Sequence, residues 1–263
     1  MIKILITILI LINILFLYLL NKKKIKKFFY KSKIKSVDIE YLNKIFTNKT
    51  IDKNLSGPKD DVIVKNFCIP PNNNIVGMTS NYEAWIISSL STISKKIFEF
   101  GTCSGKTTYL MSLNSPENSE IISLTLSPKN LNEIKRNELD NKISFRNILN
   151  ESIYNNFLFT GSKFEKKIKV IFQNSLNFDE SIYHNQFDLI FIDGGHTYSV
   201  IKNDSEKSFK MLKNNGIILW HDYVPGKESA KNVVKYIHNI SKDFEIFHIK
   251  NTSLCYYTKK NTL

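Results

Sequence analysis

The chain has 263 residues, enough for one or two domains with a sizeable core, and its abundant Leu, Ile, Val and Phe exclude wholesale disorder. Three widely spaced cysteines, Cys68, Cys103 and Cys255, exclude a disulfide framework and a zinc ribbon. The net charge of +13 gathers at the N-terminus: residues 22–35 hold eight lysines and no acid, Lys3 adds one, and the remainder sets 28 basic residues against 24 acids. Arg136 and Arg146 are the only arginines, so no surface for reading nucleic acid is expected.

Ile4 to Leu20 (ILITILILINILFLYLL) carries no charge over 17 residues. As a helix it would reach about 26 Å at 1.5 Å per residue, the short end of a bilayer crossing. The lysines follow the apolar run and no small-residue cleavage site follows Leu20, so a retained anchor is expected rather than a cleaved signal. Lysines stay on the cytoplasmic side, which predicts a single-pass membrane protein with its globular part in the cytoplasm. Residues 1–21 thus read as a transmembrane helix and 22–80 as a basic juxtamembrane segment and connector, with turns at SGPKDD (56–61) and IPPNNN (69–74).

From residue 81 onward the pattern alternates. Helices are expected at Tyr82–Ser94, 105–113, Pro128–Asp140, between Ile148 and Phe159, at Ser199–Leu212 and at Glu228–Ile240. Short apolar strands are expected at Lys96–Phe100, Glu120–Leu126, Lys167–Phe172, Phe187–Ile192 and Gly216–Trp220, with two more at Phe244–Ile249 and Ser253–Thr258. Such alternation predicts an α/β domain over 81–263, a mostly parallel, doubly wound Rossmann-like sheet. Ligands of these sheets bind beyond the carboxyl ends of the strands, so the chemistry should follow Phe100, Leu126, Phe172, Ile192 and Trp220.

The first of those ends reads EFGTCSGKTT (99–108). A dinucleotide fingerprint would need glycine where Cys103 stands. A P-loop ending in Gly105-Lys106-Thr107 would need four residues between its glycines, and here there are three. Glu99-x-Gly101-x-x-x-Gly105 instead resembles motif I of class I S-adenosylmethionine-dependent methyltransferases. FDLIFIDGGHTY (187–198) and LKNNGIILWHDYVPG (212–226) resemble the fourth- and fifth-strand regions of the small O-methyltransferases in that class. The resemblance implies an antiparallel final strand and S-adenosylmethionine as cofactor. It also implies methyl transfer to a hydroxyl of a sugar, lipid or small molecule. By the same resemblance Glu99, Gly101, Thr102, Gly105, Thr125, Asn174, Ser175 and Asp193 would surround the cofactor. Thr125 and Asn174 stand where the family commonly has acids. A P-loop-like nucleotide hydrolase and a non-catalytic binding domain of the same fold remain the alternatives.

Asp193, His196, His221 and Asp222 fall at two strand ends expected to be neighbours, which makes them the candidate catalytic set. Asp193 and Asp222 match the carboxylate positions that hold a divalent cation in catechol-type relatives, and two carboxylates suit Mg²⁺ or a similar ion. Tyr223 replaces the usual amide ligand. His196 reads as a base, a ligand or a cap of the next helix. Asp204, inside that helix, reads as a solvated or capping acid, and His184, His238 and His248 are isolated.

Overall fold

The computed structural model describes residues 7–8, 10–19, 34–42, 45–49, 52–59, 62–67, 79–138 and 140–259. In chain order these include strands β1 (Lys35–Val37), β2 (Phe46–Lys49) and β3 (Asp52–Pro58), helix α1 (Asn81–Ser91), β4 (Lys96–Phe100) and α2 (Lys106–Asn114). Then come β5 (Glu120–Thr125), α3 (Lys142–Glu151), β6 (Ile168–Phe172), β7 (Phe187–Ile192) and α4 (Tyr198–Met211). The last elements are β8 (Leu212–Trp220), α5 (Lys231–Ile240), β9 (Phe247–Ile249) and β10 (Cys255–Thr258).

Eight strands form one sheet in the order β1-β9-β10-β8-β7-β4-β5-β6. All adjacent pairs are parallel except the two that β10 makes with β8 and β9. This is the predicted doubly wound sheet with its antiparallel last strand. The strands are buried on both faces because alternate residues feed two cores. Phe98, Ile122, Ile190 and Ile218 pack with Ile201 of α4 and Val233 and Ile237 of α5. Ile97, Ile121, Leu189 and Ile217 pack with Ile86, Ile87 and Leu90 of α1 and Met111 of α2. Each such side chain contributes roughly 1.5–3 kcal/mol by leaving water.

Several expected elements take different shapes. The predicted helix over Pro128–Asp140 is only a 3-10 turn at Pro128–Glu133. Beyond it the chain is drawn toward α4, where Asp140 accepts from the backbone N–H and the hydroxyl of Ser199 at 3.0 and 2.8 Å. The next helix begins at Lys142, because Asn141 caps it by accepting from the N–H groups of Ile143 and Ser144, and it stops at Glu151. Phe157 and Phe159 stack on each other instead of continuing it. The expected connector contributes to the main fold: β1 joins the sheet beside β9, and Val37, Ile39, Leu42, Ile45 and Phe46 enter the second core.

Among the described residues no helix is long and apolar enough to cross a membrane. Residues 7–8 and 10–19 are helical and exposed, and the rest of the predicted span, with the lysines at 22–33, lies outside the described residues.

Candidate active site

Register brings the site together. Phe100 of β4 pairs with Ile192 of β7, and Ile192 pairs with Trp220 of β8. The next residue in each strand, Gly101, Asp193 and His221, therefore stands in one row at the carboxyl edge. The row is continued by bonds from Asp193 N–H to the Phe100 carbonyl (2.9 Å) and from His221 N–H to the Ile192 carbonyl (3.0 Å). Strand order reverses at β4, whose neighbours are β5 and β7, so a crevice opens there.

Gly101 has φ +95°, and a side-chain carbon on it would lie 2.6 Å from Gly194 Cα. The missing side chain thus serves the packing of the loop on β7 first. Asp222 is also left-handed, with φ +59°, a conformation that Asp tolerates better than most residues. The turn sets its carboxylate beside that of Asp193.

Four predicted residues converge. His196 Nε2 lies 2.8 Å from Asp222 Oδ2 and 3.9 Å from Asp193 Oδ1. His221 Nδ1 lies 2.9 Å from Asp193 Oδ1 and 3.3 Å from Asp222 Oδ2. Despite these distances, His196 Nε2 and both ring nitrogens of His221 make no well-directed hydrogen bond. One donor atom each from Asp193, His196 and Asp222 fit within 4.8 Å of one another, the spacing of a cation-binding set. Burial disfavours the charged form of His196, but Asp222 and Asp193 outweigh it and carry its pKa to about 10. The same balance raises His221 well above the ordinary value, while burial of Asp222 is overcome by the two imidazoles, which hold its carboxyl far below the usual range.

Two acids complete the cluster without having been singled out. Glu83 of α1 lies 3.6 Å from His221 Nε2, and its other oxygen accepts from the N–H and hydroxyl of Ser253 at 2.6 and 2.7 Å. Burial would raise its pKa, but His221, Ser80 and Ser253 hold it well below the carboxylate range. Ser80-x-x-Glu83 is a capping box, legible in the sequence as a helix start but silent about the histidine it meets. Glu151, the last residue of α3, is pushed to about 7 by burial. It sits where two cavities meet.

One crevice runs beside Gly101, Thr125, Asn174, Ser175 and Asp193, so five of the predicted cofactor residues line one space. Thr102 lines the adjoining cavity, and its hydroxyl lies 2.7 Å from that of Ser123. Glu99 and Gly105 line neither. Glu99 is fully buried and accepts from the hydroxyls of Thr107 (2.5 Å), Thr108 and Ser123 (2.5 Å), which ties β4 to α2 and β5. Gly105, at φ +80°, starts α2 under Phe157 and Phe159. Asp204 is neither solvated nor a cap: it is buried, lines the crevice and is raised to about 6 by that burial. Tyr223 turns inward, with its hydroxyl 2.8 Å from His238 Nε2, so its side chain is no ligand. Lys106 is buried and donates to the Thr79 carbonyl at 2.7 Å, unlike a P-loop lysine, which must reach phosphate.

Residues 98–223 match the family model of a methyltransferase domain. Over that stretch the chain is similar to a methyltransferase domain. A search of curated proteins gave no match. Among solved structures, the chain is similar to a Klebsiella pneumoniae protein assigned as an O-methyltransferase, at 14% identity and TM-score 0.50 over 71% of this chain and 83% of that one. That likeness establishes the fold. Others include the O-methyltransferase from Bacillus cereus in complex with SAH (16% identity, 69% and 83% coverage, TM-score 0.47). A third is TomG of Streptomyces achromogenes in complex with SAM (10%, 69% and 82%, 0.48).

Proposed function

We propose that the chain transfers the methyl group of S-adenosylmethionine to a hydroxyl oxygen of a small molecule, sugar or lipid. The observation that carries this is the single row of Gly101, Asp193 and His221, with a crevice lined by the motif residues on one side and the Asp-His cluster on the other. Bound S-adenosylmethionine supplies an electrophilic methyl: a C–O bond forms as the C–S bond breaks, its electron pair goes to sulfur, and the acceptor's proton passes to the protein.

The residues divide the work by position. Gly101, Thr125, Asn174, Ser175 and Asp193 border the cofactor crevice, and Asp204 adds a buried carboxylate there. Thr125 and Asn174 offer hydrogen bonds without charge. Asp193, His196 and Asp222 fit a divalent cation by their spacing and by the undirected Nε2 of His196. An imidazole beside two carboxylates suits Mn²⁺ or Zn²⁺ at least as well as Mg²⁺. Such an ion would lower the pKa of a bound hydroxyl. Without it, His196 or His221 is the base that would take the proton, each held beside the carboxylates of Asp193 and Asp222.

The proposal extends to location: residues 1–20 hold the chain to a membrane with the domain on the cytoplasmic side, supported by the apolar run and the lysines that follow it. Calorimetric titration with S-adenosylhomocysteine and with ATP tests the activity. Binding of the first and not the second is expected, whereas ATP binding alone would overturn it.

A further inference from the structure

Three cavities form a chain through shared walls. The cofactor crevice and the middle cavity have Gly101, Cys103, Glu151 and Asp193 in common. The middle cavity shares His221, Asp222 and Lys227 with a third space of about 890 Å³, open to solvent, between the start of α1 and the turn at 251–253. The reacting methyl must lie near the first junction, so an acceptor arriving through the third space presents its hydroxyl at Asp222.

The walls of that third space are chemically lopsided. One side is a short apolar ledge, Val224 and Pro225, both half-buried. The rest of the lining is largely polar, Ser80, Glu83, Asp222, Lys227 and Asn251 among it. Asp222 Oδ1 has Lys227 Nζ only at 4.0 Å, whereas Oδ2 is the oxygen taken by the histidines. Lys227 is more than half exposed, and Asn251 is exposed at a left-handed turn with φ +62°. The rings in its lining are committed to other partners: Tyr223 is buried with its hydroxyl facing His238, His221 lies against Asp193, and His248 bonds to Ser36 and the Thr252 carbonyl. A flat phenol needs two apolar walls and an acyl chain a continuous apolar trough. A pyranose-type ring fits instead, with its C–H face on the ledge and its hydroxyls toward Asp222, Lys227 and Asn251.

We propose that this third cavity is the acceptor site and that it takes a polyhydroxylated ring, a glycoside. The assignment rests on the methyl-transfer reading above. Saturation-transfer NMR on the full chain with S-adenosylhomocysteine present tests it, using methyl glycosides of common hexoses and 6-deoxyhexoses, catechol and 1-octanol as probes. At least one glycoside should bind, and Val224→Trp, which fills the ledge side, should weaken it tenfold or more. Asn251→Gly, which keeps the left-handed turn, should weaken it about fivefold. Both variants should keep S-adenosylhomocysteine affinity within threefold, which shows that they are folded. If no glycoside binds, or if Val224→Trp displaces catechol or octanol and leaves the glycosides, the acceptor class is wrong. Failure of the wild-type chain to bind S-adenosylhomocysteine would sink the methyl-transfer reading instead.

Discussion

Glu99 offers a quantitative test of how the glycine loop is held. Its carboxyl is fully buried, and burial carries its pKa from 4.5 to about 7 even though the hydroxyls of Ser123, Thr107 and Thr108 oppose the shift. Between those two values the native chain binds a proton that the unfolded chain has lost, so stability falls as pH rises across the window. It is highest below pH 4.5, and the loss is complete above pH 7. A displacement of about 2.5 pKa units at 1.36 kcal/mol each amounts to about 3 kcal/mol. Glu99→Gln keeps the volume and removes the titration. Urea unfolding followed by fluorescence of the buried Trp220, from pH 5 to pH 8, gives the stability of both proteins. Glu151 and Asp204 titrate in the same direction and remain in both proteins, so the difference between the two slopes isolates Glu99. The wild-type chain should lose about 2.5 kcal/mol more than the variant between pH 5 and pH 8, since part of the titration lies below pH 5. Equal slopes would mean that Glu99 stays ionised in the native state, with its three hydroxyl donors compensating for burial.

Other perturbations follow from the same geometry. Gly101→Ala should lower stability by roughly 1–3 kcal/mol and lower Tm, because φ +95° and the contact with the Gly194 backbone both oppose a side chain; an unchanged Tm would refute the packing argument. Asp222→Asn should reduce turnover about 100-fold or more while leaving S-adenosylhomocysteine affinity within about threefold. Chelation should abolish activity and Mn²⁺ or Mg²⁺ restore it; activity that survives chelator but falls in His196→Ala would replace the cation with the imidazole. Tyr223→Phe should cost about 1 kcal/mol through its lost bond to His238 and leave metal response and turnover alone. Deleting residues 1–33, which spares β1, should release the chain from membranes; persistent sedimentation with vesicles would contradict the anchor.

How far the sequence could be read depended on whether the cause of each feature was local. The strands Lys96–Phe100 and Phe187–Ile192 coincide with their apolar runs because both sheet faces are covered, so any break in the run ends the strand. The segment after Pro128 failed as a helix for a non-local reason: Asp140 bonds to Ser199, 59 residues away, and no pattern within 128–140 encodes that. The site divides in the same way. Asp193, His196, His221 and Asp222 were legible because strand ends were legible, and register alone makes those ends neighbours. Glu83 was hidden by its own good local explanation, since a capping box accounts for a Glu three residues after Ser80 without any need of a histidine. Glu99 shows the converse. A motif position assigned to the cofactor is occupied by a carboxylate that meets only hydroxyls, and its contribution is to fasten the loop on which the cofactor residues stand. An acid at a conspicuous motif position can therefore act at one remove, while an acid with an ordinary capping role can join the charge cluster through a histidine.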